Sequence, residues 1–409
     1  MHILPSVLEL RCEPIPLVRI GLIGLGQRGM KTLERYAFIK DAEIRYVVDL
    51  SEEKTTEANE KLLASGRPLA KTLIGQNAWM NLCLAEDVDL IYICTEWDSH
   101  CTMAVAAMNH GKHVAVEVPA ARTVDECWQL IDTAERTRRH LFMTENCCYD
   151  HFALTTLEMH KQKQLGEITH CEGAYIHDLR DVFGLTPDQN AGNSTRLWME
   201  KNCNEHEGNP YPTHGIGPIG WLLGLHRGDR MKSLVSVSSE AIGEPDKFRG
   251  TMNSSIIKTE RGRTILLQHG IALPRPYSRH FLLSGTKGYV QKYPAPYMAF
   301  APDTTDVLSG ERCLALTEQY KHPFVAEYKE RGVEICGTRW IDYLMDSRLI
   351  YCLRNGLPLD MDIYDAVEWS SLVELTEQSA LAGGAVVEIP DFTRGKWDET
   401  EGFKFAFAK

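Results

Sequence analysis

The 409 residues contain no run of lysine or arginine, and acidic side chains outnumber basic ones to a formal charge of −12. A surface of that sign excludes nucleic acid and an anionic membrane face as partners. No stretch of about 18 apolar residues occurs, so no membrane span is expected. The opening "MHILPSVLELRCEPIPLVRIG" has no basic segment leading into a long apolar one. That predicts no export signal and a cytoplasmic protein. The 12 cysteines form no CxxC pair and no Cys/His ladder, so reduced thiols and no metal site are expected. Nor is there an internal repeat or a low-complexity linker between the parts of the chain.

What is present is an ordinary globular composition, 44% hydrophobic and 24% charged, with length for two domains. From Leu17 onward, apolar runs such as "LVRIGLIG", "EIRYVVDL", "VDLIYICTE" and "KHVAVEVPA" alternate with helix-like segments. Near-continuous apolar strands separated by helices predict a doubly wound parallel sheet over residues 17–148, preceded by an extension of residues 1–16. After Cys148 the period changes to two in "ITHCEGAYIHDL", "SLVSVSSEAI", "SSIIKTERGRTILLQHGIAL" and "RHFLLSGTKGYVQKY". Residues 149–409 therefore read as an α+β domain with a large, mostly antiparallel sheet.

"GLIGLGQRG" places Gly24, Gly26 and Gly29 directly after a strand and at the start of a helix. The first glycine permits the tight turn, the second lets backbone approach a pyrophosphate, and the third brings helix and strand together. Asp49 ends the next strand 20 residues after Gly29, with no arginine beside it. A carboxylate there accepts from ribose hydroxyls and repels a 2′-phosphate, so NAD is expected in preference to NADP. Ligands of such sheets lie at the carboxyl ends of the strands. Thr95–His100, Glu117-Val118-Pro119 and Glu145–Tyr149 all fall there.

"GNPYPTHG", residues 208–215, fits no helix or strand pattern, because two prolines bracket Tyr211. It reads as a loop that presents Tyr211 and His214, the latter a group that titrates near neutral pH. His110, His113, His151 and His160 lie on or beside helices without ligand spacing and are assigned to core or surface. The "RWIDYLMDSRL" segment reads as an amphipathic helix face.

With these motifs in place, the chain from Leu17 on resembles the Gfo/Idh/MocA oxidoreductases, which pair a Rossmann domain with an open-faced mixed sheet. Two departures are plain. The usual Glu-Lys-Pro is Glu117-Val118-Pro119, and the later aspartate, histidine and second aspartate fall near Thr213, Gly217 and Gly220. "VEVPAA", "ENCCY", "EGAYIHDLR", "NPYPTHGIGP" and "GLPLDMDIYDAVEWSSLVELTEQS…VEIPDFTRGKW" together resemble glycoside hydrolase family 109, NAD-dependent α-N-acetylgalactosaminidases of the retaining type.

The resemblance implies a small N-acetylhexosaminide substrate and a recycled NAD. The sugar is oxidised at C3, loses its C2 proton and its leaving group, takes up water and is reduced again. It implies cofactor contacts from Gly24, Gly26, Gln27, Arg28, Gly29, Asp49, Trp97, His100, Glu117, Val118 and Asn146. Substrate contacts would come from Tyr175, Arg196, Tyr211, Thr213, His214 and Tyr293, and catalysis from His214, with Tyr149 and Glu117 as further candidates. An open sheet face also implies a homo-oligomer. A sugar or cyclitol dehydrogenase, and a non-catalytic NAD-binding sensor, are the competing readings.

Overall fold

The computed structural model describes residues 5–183, 197–240 and 251–408. Its first half contains β1 (Val18–Ile23), α1 (Gln27–Tyr36), β2 (Ala42–Asp49), α2 (Glu52–Ala64), β3 (Lys71–Ile74) and α3 (Ala78–Leu84). It continues with β4 (Leu90–Ile93), α4 (Trp97–Asn109), β5 (His113–Val116), α5 (Val124–Thr137) and β6 (Leu141–Met143). The sheet order is β3-β2-β1-β4-β5-β6, every pair parallel. Every residue of β4, β5 and β6 is buried. Helices cover both faces of such a sheet, so its strands have no polar side to show.

The second half starts with α6 (His151–Lys161), β7 (Ile168–Ile176), α7 (Leu197–Glu205) and α8 (Thr213–Leu223). The sheet continues with β8 (Met231–Ser238), β9 (Asn253–Thr259), β10 (Thr264–Gly270), β11 (Phe281–Gly285), β12 (Gly288–Gln291), β13 (Tyr297–Phe300) and β14 (Leu308–Ser309). Last come α9 (Gly310–Gln319), α10 (Pro323–Cys336), α11 (Trp340–Arg354), α12 (Ile363–Leu381) and β15 (Val387–Glu388). Nine strands form one sheet in the order β14-β13-β12-β11-β7-β10-β9-β8-β15. All neighbours are antiparallel except β7 and β10, which run parallel.

One face of this sheet is covered by α8 on β7 and α12 on β8. The approach of α8 is very close, because a side chain on Gly173 would stand 2.2 Å from the Gly215 carbonyl oxygen. The opposite face exposes Val237 and Ile256 at 56% and 54%.

Residues before β1 do not hang free. Val7 and Leu10 are buried, the Val7 N–H donates to the Tyr364 hydroxyl, and the Ile15 N–H donates to the Leu353 carbonyl. The N-terminal segment thus straps the helices of the second half. The amphipathic reading of "RWIDYLMDSRL" was incomplete: α11 also carries Asp342 and Asp346, both fully buried. Asp346 accepts from Arg35 at 2.8 Å and from the Tyr92 hydroxyl at 3.2 Å, joining α11 to the first half.

Candidate active site

The glycine turn has the shape a pyrophosphate needs. Gly24 has φ +86°, and a side chain on Gly29 would stand 1.8 Å from the Gly24 carbonyl oxygen. At Gly26, which caps α1, a Cβ would meet nothing within 4 Å, and α1 has neither a side-chain cap nor an acidic first turn. Its first N–H groups and positive dipole end therefore face open space, which suits an anion. Asp49 braces this turn, accepting from the Leu25 N–H at 2.6 Å and the Ser51 N–H at 2.9 Å. Each oxygen keeps a second lone pair for a ribose hydroxyl. The chemistry of the residues fits NAD.

Beyond this turn the cofactor candidates divide. Gln27 and Arg28 open α1. The Arg28 Nε donates to Glu117 at 2.6 Å and its Nη1 to Asp342 at 3.1 Å. Glu117, a catalytic candidate, is thus the ion-pair partner of a half-buried arginine. Val118 is buried beside it. Asn146 donates to Asp342 and accepts from Arg279 at 3.3 Å. Both ring nitrogens of His100 face backbone carbonyls, Pro119 at 2.8 Å and Thr95 at 3.2 Å. That ring ties two rim loops together, and burial holds its pKa below the ordinary value. Trp97 is buried at the start of α4, with its ring 5.7 Å from Tyr211.

The "GNPYPTHG" stretch is a loop only as far as Pro212, since Thr213 and His214 are the first residues of α8. The loop is pinned before the helix begins. The Asn209 N–H donates to Thr376 at 2.8 Å, and the Asn209 side chain accepts from the Tyr211 N–H at 3.0 Å. Pro218, inside the helix, has no N–H for the His214 carbonyl four residues earlier.

The partner of His214 comes from the first half. Glu145, just past β6 and fully buried, holds the His214 Nδ1 at 2.8 Å from each of its oxygens. Burial opposes a charge on Glu145, but His214, the Thr213 hydroxyl and the Cys147 N–H outweigh it and hold the carboxyl down to about 2. Burial also pushes the His214 pKa below its ordinary value, helped by Arg279 and Arg28 and opposed by Glu145. The pair is therefore a carboxylate beside a neutral imidazole. With Nδ1 committed to Glu145, Nε2 is the nitrogen placed to accept a proton.

Around this pair stand aromatic rings. Tyr211 and Tyr175 meet the imidazole edge-on at 4.7 and 5.0 Å between centroids, and Tyr175 lies 6.1 Å from His269. The Tyr175 hydroxyl is 2.9 Å from His177 Nδ1. Tyr149 is not among them. Its phenol donates to Asp360 at 3.2 Å, its ring packs on Trp221 at 5.1 Å, and it is fully buried. The short 3₁₀ turn after Glu145 carries this ring to Trp221 and Asp360. Tyr293 is half-buried, with the Lys292 Nζ 5.2 Å from its ring centre. Arg196 lies outside the described residues.

Gly217 leaves room for this arrangement. A Cβ there would meet Glu145 Cγ and Cys148 Sγ at 3.0 Å each. The position that resembles the usual histidine thus has no room for a side chain, and Glu145 fills the space. Sequence reading placed Glu145 at the rim but gave it no role, and it missed Arg279, Asp342 and His177. Nothing local marks these residues: Glu145 and His214 are 69 positions apart.

Known proteins resemble this chain over both of its halves. Residues 18–145 match the family described as "Oxidoreductase family, NAD-binding Rossmann fold". Residues 149–399 match "Glycosyl hydrolase 109, C-terminal domain". The α-N-acetylgalactosaminidase of Bacteroides fragilis is 49% identical over 96% of this chain and 95% of its own length. A glycosyl hydrolase family 109 protein of Bacteroides thetaiotaomicron is 42% identical over 99% and 91%. Among solved structures, levoglucosan dehydrogenase with NADH superposes with a TM-score of 0.68 at 18% identity, covering 91% of this chain and 99% of that one. That last likeness concerns the fold. The chain belongs to glycosyl hydrolase family 109, with an NAD-binding Rossmann domain as its first half.

Proposed function

We propose that this protein is an NAD-dependent glycosidase of α-N-acetylgalactosaminides or related N-acetylhexosaminides. The observation that carries the reading is the Glu145–His214 pair, a neutral imidazole held by a buried carboxylate at the rim of the cofactor half. The name of the Bacteroides fragilis relative supports the sugar class.

When bound, NAD+ supplies a hydride acceptor that makes a ring alcohol a ketone and later restores it. The protein does the rest. The N-terminus of α1 and the open space at Gly26 hold the pyrophosphate, and Asp49 takes the ribose. Trp97, Tyr211 and Tyr175 give the sugar an aromatic wall. A ketone acidifies the proton on the neighbouring carbon, and His214 Nε2 accepts it while Glu145 fixes the tautomer and steadies the imidazolium. Loss of the leaving group from the next carbon follows.

Nitrophenyl α-N-acetylgalactosaminide with NAD+ tests the reading. Nitrophenol release without net NADH is expected. Stoichiometric NADH with a free sugar would instead make the protein a dehydrogenase. The open sheet face, with Val237 and Ile256 exposed, supports a homo-oligomer, and light scattering at micromolar concentration would return a single-chain mass if it does not form. No helix among the described residues is long and apolar enough to cross a membrane.

A further inference from the structure

Arg279 differs from the other cations of the site. Arg28 has Glu117 and Asp342, and Lys292 has Asp150 at 2.9 Å. Arg279 has no carboxylate partner among the described residues. Its Nη1 reaches only the Asn146 side-chain Oδ1 at 3.3 Å, its Nε is buried without a partner, and its guanidinium lies 5.7 Å from the centre of the Tyr277 ring. A part-buried guanidinium with so few acceptors is costly unless something else supplies them. Its position is specific. Arg279 touches Asn146, at the rim of the cofactor half, and shares with His214 the lining of one cavity of about 20 Å³. Arg279 therefore bridges Asn146 of the cofactor half and the cavity that His214 lines.

We propose that Arg279 is a catalytic residue: its guanidinium binds the oxygen of the oxidised carbon and carries the charge that forms there. The inference rests on the glycosidase reading. His214 takes the C2 proton, and the electron pair of the broken C–H bond forms a C2–C3 double bond. The C3 carbonyl π pair moves onto oxygen, giving an enolate opposite Arg279. On collapse the carbonyl re-forms, the C2–C3 pair shifts to C1–C2, and the C1–O bond breaks, its electrons leaving with the aglycone oxygen. No co-reactant beyond water and the resident cofactor is needed. Arginine suits this role because it stays charged and offers several donors in one plane.

The test uses full-length enzyme with NAD+ and the nitrophenyl substrate, comparing wild type with Arg279→Met and Arg279→Lys. Loss of one such donor lowers kcat by about 10²–10³, with KM within about threefold, since the charge is met only in the transition state. The isotope effect from C2-deuterated substrate should rise, because proton removal becomes slower relative to the other steps. Arg279→Lys should fall between, and it remains informative if Arg279→Met does not fold. A folded Arg279→Met with wild-type kcat, a change confined to KM, or an unchanged isotope effect would each overturn the role of Arg279. A wild-type enzyme that releases no nitrophenol would overturn the glycosidase reading beneath it.

Discussion

Two buried histidines of this protein sit against carboxylates and are driven in opposite directions. His214 has one carboxylate, Glu145, and feels two arginines, Arg279 and Arg28; burial and those cations keep it neutral. His226, in the turn after α8, has Asp362 at 3.2 Å, Glu368 at 3.3 Å and Asp365 at 3.9 Å, against the single Arg227. There the carboxylates overcome burial and the repulsion of Arg227, raising the imidazole to about 9. The local surplus of charge, more than depth, decides whether a buried imidazole can take a proton. A locked imidazolium ties elements together; a neutral one can act as a base.

The largest effect should come from His214→Ala, which removes the base and lowers kcat by about 10²–10⁴ while NAD titration stays as in wild type. NAD affinity lost along with activity would mean that His214 only supports the cofactor site. Glu145→Gln keeps the ring but loses the charge that orients it, and kcat should fall by up to about 10⁴.

His226→Gln strips a cation from three carboxylates and should destabilise the fold by about 3 kcal/mol, read as a lower Tm, with kcat per folded molecule unchanged. The same group sets a pH window. A raised folded-state pKa means that its stabilisation is complete below about 6.5 and is lost as pH climbs through about 9. Wild-type Tm should therefore drop between pH 7 and 10 more steeply than that of His226→Gln. For His214 the shift is downward, so the acid limb of kcat/KM should have its midpoint below the ordinary imidazole value of about 6.5.

The smallest effect is assigned to Gly217→Ala. Its new methyl presses on Glu145 Cγ at 3.0 Å, a displacement of tenths of an ångström that should cost about tenfold in kcat.

The same contrast separates what sequence reading reached from what it missed. The glycine turn and Asp49 were legible because one short segment must meet several backbone demands at a fixed spacing, and NAD followed from them. The two sheets followed from periodicity alone. His214 was legible as a group, but its setting was not: proline and glycine suggested a loop, whereas Thr213 starts a helix whose glycines let it press against β7. Glu145, Asp342 and Arg279 were invisible for a different reason. Each acquires its meaning from a partner more than 60 residues away, and no local pattern encodes that. The setting of Tyr149 was equally hidden: its ring packs on Trp221 and its hydroxyl donates to Asp360.

In the proposed reaction His214 removes a carbon-bound proton during glycoside cleavage. Hydrolysis of the nitrophenyl N-acetylgalactosaminide in deuterium oxide with NAD+ tests it directly. Deuterium is expected at C2 of the released sugar, lost in step with hydrolysis when His214 becomes alanine. Sugar released by wild type with its C2 hydrogen intact would contradict it.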